Sequence, residues 1–349
     1  MTAPLSILFV AEAVTGSRSA QRLNALRGLG HRVVFVPTTP PGFCCEDSPS
    51  LAYRVSYRLR LPLDRAGVNA ALNGIDASAF DVVLLDNAAM IRRTALIGLK
   101  RRNPRLRLVW FSEDDLMNPR HRSRWLEAAI PLFDLWVTTK SFNADPNELP
   151  RLGAKRILFV NNSFDPDLHR PVSVDESERQ AFSADVSFVG TFEAPRAASL
   201  LHLARQGIAC RVWGNGWGGM IGLHPNLVVR NRPVYGPDYP RVLAASAVNL
   251  CFLRHFNRDR QTTRSVEIPA CGAFMLHERS EEMMALLRDG VEAAYFSDDT
   301  ELTAQCRRWL ADPGTRSAAA AAGRERIRAL GLSHAETMAR VLDAAGCPS

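Results

Sequence analysis

The stretch 257–272 reads NRDRQTTRSVEIPACG and concentrates acidic, basic and hydroxyl side chains beside a small-residue turn. Asp259 and Glu267 are eight positions apart, so a loop that leads into a helix at Ser265 or Val266 would aim both carboxylates into one cleft. Three arginines surround them with positive charge: Arg258, Arg260 and Arg264. A solvated charged loop would have the same composition. Whether the stretch is a functional site or a surface loop therefore depends on the helices and strands that position it.

Length and charge limit what those elements can be. A chain of 349 residues is long enough for two domains, and its 46% hydrophobic and 23% charged residues are typical of a folded globular protein. The formal charge of +7 suits an anionic partner: nucleic acid, an acidic membrane surface or a phosphorylated small molecule. The arginines are dispersed and no aromatic residues are interleaved among them, so we expect no nucleic-acid binding.

Cysteine usage and hydropathy indicate the compartment. Seven cysteines, without a Cys-x-x-Cys pair or clustered histidines, predict reduced thiols, a cytoplasmic location and no structural zinc. The opening run PLSILFVAEA resembles a signal peptide but lacks a basic segment before it, so it is read as a first buried strand. No segment approaches twenty apolar residues, so any membrane contact is at most peripheral.

The first half alternates short apolar runs with helical periodicity, which predicts an α/β fold with a parallel, doubly wound sheet. Polar residues follow each predicted strand, at the edge where open α/β sheets bind ligands. They are Glu12 and Thr15 to Ser17, then Asp86 and Asn87, then Glu113, Asp114 and Asp115, then Thr138, Thr139 and Lys140. The dinucleotide fingerprint G-x-G-x-x-G is absent.

The segment 166–183 has prolines and charges without a strong period, so it is read as a linker. A second α/β alternation follows it. The predicted organisation is a first Rossmann-like domain at 1–165, a second at 184–332, and a C-terminal helix at 333–349 that packs back toward the first domain. Two Rossmann-like domains of this kind would face each other across a cleft, as in two-substrate transferases, periplasmic binding proteins and sugar-nucleotide epimerases.

Several segments carry a family likeness: TTKSFNADPNELPRLGAKRILFVNNSFDPDLHRP, DVSFVGTFEAPR, VWGNGW and above all NRDRQTTRSVEIPACGAF. They resemble the glycosyltransferases related to the spore maturation protein CgeB. Those are similar in turn to the group 1 (family 4 type) glycosyltransferases of the two-domain GT-B fold. The likeness runs from about Val82 to near the C-terminus, and the first eighty residues match only as a Rossmann-like opening.

The resemblance implies a nucleotide-sugar donor in the C-terminal domain, an acceptor in the N-terminal domain, no metal or other cofactor, and retention of anomeric configuration. The family's two acidic positions, separated by seven residues, correspond here to Asp259 near the transferred sugar and Glu267 at the donor ribose. Asp stands where the family typically has Glu. The predicted catalytic residues are Asp259, Arg264 and Asp115. The predicted donor-binding residues are Glu267, Arg264, Arg258, Thr263, Gly190, Phe192, Arg196, Asn215, Gly216, Trp217 and Tyr235, with Trp217 or Tyr235 stacking on the base.

Acceptor-binding candidates follow strands of the first half: Glu12, Asp114, His121 and Lys140. Adjacent carboxylates cannot both face one point, so Asp114 and Asp115 should divide into a structural cap and a cleft residue. The acceptor would be a glycan, a lipid-linked sugar or a small molecule, in polysaccharide or glycoconjugate biosynthesis. Two alternatives stay open at this stage: a sugar-nucleotide epimerase of the same fold, and a basic binding protein for nucleic acid or an anionic surface without turnover.

Overall fold

The computed structural model describes residues 4–43 and 50–347. The chain forms two compact units. The first unit consists of Met1–Asn161 together with His334–Ser349, and the second unit consists of Asn162–Ser333. Residues 166–183, expected as a linker, lie within the second unit and include a helix with an Asp175 capping box.

The first unit is built on a six-stranded parallel sheet in the order β2-β1-β3-β4-β5-β6. Its strands are β1 Ser6–Ala11, β2 Arg32–Pro37, β3 Val82–Asp86, β4 Arg107–Ser112, β5 Leu135–Thr138 and β6 Ile157–Phe159. Its helices are α1 Arg18–Gly28, α2 Leu51–Arg58, α3 Val68–Gly74, α4 Arg93–Arg102, α5 Arg124–Ala129 and, from the end of the chain, α13 His334–Ala344. All six residues of β1 and all five of β3 are buried, because helices cover both faces of a parallel sheet.

The second unit has the same plan, with a parallel sheet in the order β12-β11-β10-β7-β8-β9. Its strands are β7 Ala184–Val189, β8 Cys210–Trp213, β9 Leu227–Val229, β10 Ser246–Cys251, β11 Met275–Glu278 and β12 Ala294–Phe296. Its helices are α6 Glu176–Phe182, α7 Ala194–Arg205, α8 Asp238–Ala245, α9 Arg264–Ala270, α10 Glu281–Leu286, α11 Asp299–Ala311 and α12 Pro313–Ala329. The predicted α/β class with two doubly wound, Rossmann-like sheets is confirmed.

The order of strands reverses once in each sheet, and this reversal determines where ligands can enter. In the first unit it lies between β1 and β3, and in the second unit between β7 and β10. Loops leave the two central strands in opposite directions at such a point, so a crevice opens at their carboxyl ends. The side chains that follow these four strands are therefore the first candidates for a site.

The end of the chain belongs to the core of the first unit. Met338, Val341 and Leu342 of α13 are buried in a cluster with Ile7 and Phe9 of β1. Arg156 also donates a hydrogen bond to the Ala344 carbonyl oxygen (2.7 Å). The sheet of the first unit is therefore covered by a helix that is distant in sequence.

Two further observations concern the chain as a whole. Within the described ranges, no helix combines the length and the apolar composition that a bilayer crossing requires. All five cysteines in those ranges have free thiols, and Cys44 and Cys45 lie outside them.

Candidate active site

Glu267 lies in the first turn of α9, and the residue is 7% exposed. The helix begins at Arg264, one residue before the earlier of the two predicted starts, with Thr263 at its N-cap. The Thr263 side chain makes no capping hydrogen bond. The loop between β10 and α9 therefore delivers Arg264 and Glu267 from the carboxyl edge of the sheet, on the β10 side of the strand-order reversal.

Two side chains of the second unit hold the Glu267 carboxylate. The Tyr239 hydroxyl donates to Oε2 (3.1 Å), and His169 Nε2 lies 3.9 Å from Oε1. His169 Nδ1 accepts the Asp165 backbone N–H (3.0 Å), so in the neutral ring the proton is on Nε2 and faces Glu267. The His169 ring packs edge-on against Tyr239, with centroids 5.7 Å apart. Each carboxylate oxygen thus has one neighbour of fixed orientation.

Neither partner of Glu267 was among the sequence candidates. His169 falls in the segment expected as a linker, and Tyr239 occupies a buried helical position that is typical of a core residue. Burial and the Glu267 carboxylate raise the pKa of Tyr239 well above its usual range, so the hydroxyl keeps its proton and stays a donor. Neither PDLH, which contains His169, nor GPDYP, which contains Tyr239, has a pattern that would predict contact with a carboxylate.

Arg264 and Arg196 place two guanidinium groups near the ring of Phe188. Their Cζ atoms lie 5.5 Å and 5.6 Å from the ring centroid. Arg196 is buried, and burial together with the nearby Arg264 charge lowers its pKa to about 10. Among the residues that the structure describes, the Nε atom of each has no hydrogen-bond partner. Two neighbouring cations with unused donors are stabilised by an anion between or beside them, so the pair suits a phosphate group.

Backbone glycines leave the space for this pair. A Cβ on Gly190 would lie 2.7 Å from Phe188 Cζ and 3.4 Å from Arg264 Nη1. The loop after β8 approaches even more closely, because a Cβ on Gly214 would lie 1.9 Å from the Gly190 carbonyl oxygen. Gly214 also has a φ of 147°, which favours glycine. The loops after β7 and β8 are therefore in backbone contact.

Trp217 has a structural role in these loops, and its prediction as a base-stacking residue is wrong. Its indole is fully buried, and Nε1 donates to the Gly190 carbonyl oxygen (2.8 Å). Phe192 packs edge-on against it (5.3 Å between centroids), and the Phe192 N–H donates to the Asn215 carbonyl oxygen (2.9 Å). An indole buried on all sides cannot stack on a ligand. Gly216, at φ 85°, completes the turn beside Phe192.

The other candidates of the second unit lie in exposed or half-buried turns. Arg258 is exposed and has a φ of 47°, a left-handed conformation that is uncommon outside glycine. Asp259 is half-buried and accepts a hydrogen bond from Asn257 Nδ2 (2.7 Å). Tyr235 follows β9 and is 43% exposed, so its ring is accessible to a ligand.

A crevice of about 590 Å³ opens where the strand order reverses in the second unit. Its walls come from the loops after β7, β10, β11 and β12 and include Phe192, Glu193, Arg196, Phe252, Arg254 and Glu278. Glu193 pairs with Arg254 (2.9 Å) and, at 3.6 Å, with Arg196. The volume is in the range of small-molecule sites, and Arg196 belongs to both the crevice and the arginine pair.

In the first unit, the corresponding reversal carries a buried ion cluster. Arg22 contacts Asp86 (2.8 Å) and Glu113 (2.8 Å), and Arg18 also pairs with Glu113. Against the upward effect of burial, Arg18 and Arg22 hold the pKa of Glu113 well below its usual range. Glu12 is exposed at the rim, where partial desolvation and the Asp86 carboxylate raise its pKa.

A small pocket of about 140 Å³ lies beside this cluster in the first unit. Asp114 and His121 face each other in its wall, with Oδ2 and Nδ1 3.8 Å apart. Arg60 (φ 61°) and Asn87 (φ 54°) also line it, and both have left-handed backbones. Such strained residues are concentrated at functional sites. The pocket therefore brings together two of the four acceptor candidates.

Asp115 and Lys140 do not reach this pocket surface. Asp115 is buried, and its Oδ1 accepts from Asn143 Nδ2 (3.0 Å) and from the Met117 N–H (3.0 Å). Asp115 fixes the turn after β4 while its neighbour Asp114 lines the pocket, so its predicted catalytic role stays a prediction. Lys140 is buried at the end of β5, where its N–H donates to Thr138 Oγ1 (3.0 Å).

Among residues 4–43 and 50–347, no three His, Cys, Asp or Glu side chains come together in a way that could hold a metal ion. Positive charge for an anionic ligand is instead available from the arginines that follow β7 and β10.

Comparison with known proteins gives three kinds of result. Residues 196–343 match the family model described as "Glycosyl transferase-like". A search of curated proteins finds no relative by sequence. Many solved structures share the fold, and three of them show how much of the chain the similarity covers.

Sucrose-phosphate synthase from Thermosynechococcus elongatus is 14% identical with a TM-score of 0.68, and the match covers 97% of this chain and 98% of that chain. Anabaena HepE in complex with UDP and glucose is 15% identical with a TM-score of 0.65, over 97% and 100% of the two chains. A glycosyltransferase from Rickettsia africae is 10% identical with a TM-score of 0.64, over 99% and 98%. The chain therefore shares the two-domain GT-B fold of these solved structures, and its residues 196–343 match the glycosyl transferase-like family model.

Proposed function

We propose that the protein is a metal-independent, retaining glycosyltransferase of the CgeB-related type. In this proposal the second unit binds a nucleotide-sugar, the first unit binds the acceptor, and the enzyme acts in the cytoplasm. The observation that carries the proposal is the Glu267 carboxylate, oriented by Tyr239 and His169 and preceded by Arg264 in the same helix.

The donor ribose is the proposed ligand of Glu267. A carboxylate has about four lone-pair sites. Tyr239 contacts one oxygen of Glu267, and His169 lies beside the other. The remaining lone pairs can accept hydrogen bonds from two vicinal hydroxyl groups of a ribose. A side chain whose carboxylate is already hydrogen-bonded on one oxygen, with a neighbour beside the other, loses less conformational entropy on binding than a mobile one.

The diphosphate is the proposed ligand of Arg264 and Arg196. As the bond between the anomeric carbon and the phosphate oxygen breaks, negative charge develops on the leaving nucleoside diphosphate. Two guanidinium groups near Phe188 can stabilise that charge without a metal ion. Gly190 contributes space, because any Cβ there would meet Phe188 and Arg264.

For retention, the acceptor oxygen bonds to the anomeric carbon on the face that the diphosphate leaves, and the acceptor proton passes to the leaving phosphate oxygen. This route needs no enzymic nucleophile. Asp259 would then contact the transferred sugar, and Arg258 and Tyr235 would contact the diphosphate and the base.

The acceptor is proposed to bind in the pocket of the first unit that Asp114 and His121 line. Those two groups can orient an acceptor hydroxyl by accepting its proton in a hydrogen bond. A glycan, a lipid-linked sugar and a small molecule all fit this chemistry, which would serve polysaccharide or glycoconjugate biosynthesis.

The first experiment is calorimetric titration with a panel of nucleoside diphosphates, followed by turnover assays with the matching sugar donors. Uridine diphosphate comes first because the HepE structure is a complex with UDP and glucose. We expect one base to bind more tightly than the others, binding and turnover to survive EDTA, and NMR to show product with the donor's anomeric configuration. Loss of turnover with EDTA would contradict metal independence, and donor interconversion without an acceptor would identify an epimerase.

The decisive variant is Glu267→Gln, with Glu292→Gln as its control. Both glutamates are 7% exposed and lie in the second unit, but Glu292 pairs with Arg288 (2.9 Å) instead of facing the proposed site. We expect Glu267→Gln to weaken nucleoside diphosphate binding by about tenfold or more, because the amide nitrogen cannot accept a ribose hydroxyl. Equal affinities of the two variants would exclude Glu267 from the donor site.

A further inference from the structure

Helix α2 of the first unit presents an apolar stripe to solvent. Leu51 is 73% exposed, Val55 48% and Leu59, which directly follows the helix, 54%. They recur every four residues, and residues at this spacing lie above one another on one face of a helix. Leu63, beyond the helix, is also exposed. A contiguous apolar face of this kind on a globular protein indicates an interaction site.

Arginines flank the stripe. Arg54 and Arg58 are exposed, and each lies three residues beyond a member of the stripe. Residues 50–63 include three arginines and no acidic residue. Among the described residues, neither Arg54 nor Arg58 forms an ion pair with a carboxylate. The third, Arg60, points elsewhere and pairs with Glu127 (2.6 Å). The outer face of α2 is therefore apolar on one side and cationic on the other.

The turn after α2 is attached to the rest of the first unit, because Arg60 Nε donates to the Arg122 carbonyl oxygen (3.0 Å) and the Arg60 carbonyl oxygen accepts the Arg124 N–H (2.8 Å). Ser56 is buried and donates to the Tyr53 carbonyl oxygen (2.8 Å), and the Tyr53 and Tyr57 rings are 5.0 Å apart. Ser50 caps the helix by accepting the Tyr53 N–H. The exposure of the stripe thus belongs to a helix that is capped at its start and anchored just after its end.

We propose that this face docks the protein on an anionic lipid bilayer. The apolar side chains would enter the interface between headgroups and acyl chains, and the guanidinium groups would contact lipid phosphates. A lipid surface fits better than a protein partner, because a stable protein interface needs about 20 residues a side and this face has six. The formal charge of +7 adds long-range attraction to the same surface.

Docking here has a consequence that rests on the proposed function. Tyr57 of α2, and Arg60 and Pro62 after it, line the pocket proposed for the acceptor. A bilayer held against the outer face would bring lipid-linked acceptors next to that pocket. The docking itself is independent of the enzyme's activity and can be tested without a substrate.

The test is co-sedimentation of the full-length protein with phosphatidylcholine vesicles that contain or lack phosphatidylglycerol. We expect binding only to the anionic vesicles, with release by salt. Leu51→Asp with Val55→Asp should weaken binding by about tenfold or more, and Arg54→Gln with Arg58→Gln by about fivefold per arginine. All four positions are exposed, so circular dichroism and thermal midpoint should not change.

The matched control is Ile221→Asp with Leu223→Asp, because these residues are also exposed, at 58% and 54%, but belong to the second unit. The control should bind vesicles as the unaltered protein does. Failure of the unaltered protein to bind, equal binding to neutral vesicles, or equal loss in the control would each overturn the proposal. So would a dimer in solution that the α2 variants dissociate, because the face would then bind a second copy.

Discussion

At the scale of single residues, the proposed donor site depends on how Glu267 is held. A buried carboxylate is costly unless hydrogen bonds compensate its lost hydration. Tyr239 donates to one oxygen, and His169 approaches the other with a proton whose position the Asp165 N–H determines. The result is a charged acceptor with a fixed direction, which is the property that recognition of two adjacent hydroxyl groups needs.

Tyr239→Phe tests this orientation directly. The change removes one donor and leaves the ring, so Glu267 Oε2 loses its partner while the packing against His169 is preserved. A hydrogen bond to a charged group contributes about 1.5–3 kcal/mol. We expect nucleoside diphosphate affinity to fall by about tenfold, measured by calorimetry.

Tyr295→Phe is the control for that variant. Tyr295 is also buried in the second unit, but its hydroxyl donates to the carbonyl oxygens of Met283 and Leu287 (2.8 Å each). It should lose stability and keep donor affinity. If both variants lose affinity equally, the Tyr239 effect is a general loss of stability and the orienting role is wrong.

At the scale of elements, the ends of β7, β8 and β10 position the charged groups. Cys251 at the end of β10, Ser265 in α9 and His277 in β11 form a buried polar cluster, with Ser265 Oγ 2.7 Å from His277 Nε2. Despite burial, His277 lowers the pKa of Cys251 to about 7. This cluster connects α9 to the two strands beside it, so Glu267 and Arg264 are attached to the rigid part of the sheet.

The contact between the β7 and β8 loops makes Gly214→Ala the informative change at this scale. The new methyl group would meet the Gly190 carbonyl oxygen at 1.9 Å, and alanine would have to adopt a φ of 147°. The loops must separate, which also displaces Gly190 from Arg264. We expect a loss of more than about 3 kcal/mol in the free energy of unfolding, measured by denaturant titration.

Gly219→Ala is the matched control in the same segment. A Cβ there meets no atom of the described residues within 4 Å, and the backbone φ is not positive. Its free energy of unfolding should stay within about 0.5 kcal/mol of the unaltered protein. Similar losses in both variants would show that the segment does not tolerate any substitution, and the argument from close approach would fail.

At the scale of the molecule, each unit has its own sheet and core, and α13 returns from the end of the chain to the first unit. Met338→Ala should therefore destabilise the first unit alone, by about 2–5 kcal/mol, because the side chain is fully buried against the sheet. Hydrogen exchange should show lost protection in peptides of the first unit and unchanged protection in the second. Asp343→Ala, at an exposed position of the same helix, should change neither. Equal loss in both units would mean that they unfold together.

The sequence by itself determined the parts of this protein that depend on local pattern. Apolar runs such as SILFVA predict buried parallel strands, polar residues after them predict the carboxyl edge, and the two series predict two doubly wound sheets. The spacing of Asp259 and Glu267 drew attention to the loop that leads into α9. These features are readable because hydrophobic periodicity and strand ends are properties of neighbouring residues.

Only the tertiary structure decided which polar side chains meet. Asp114 and Asp115 are adjacent and chemically identical in the sequence. In the structure Asp114 lines a pocket, whereas Asp115 is buried and accepts a hydrogen bond from Asn143. Trp217 proved to be a core residue because the β7 and β8 loops close over it. Tyr239 and His169 reach Glu267 from 28 and 98 positions away. Contacts at such separations depend on how the sheet places its loops, and no local pattern in the sequence records them.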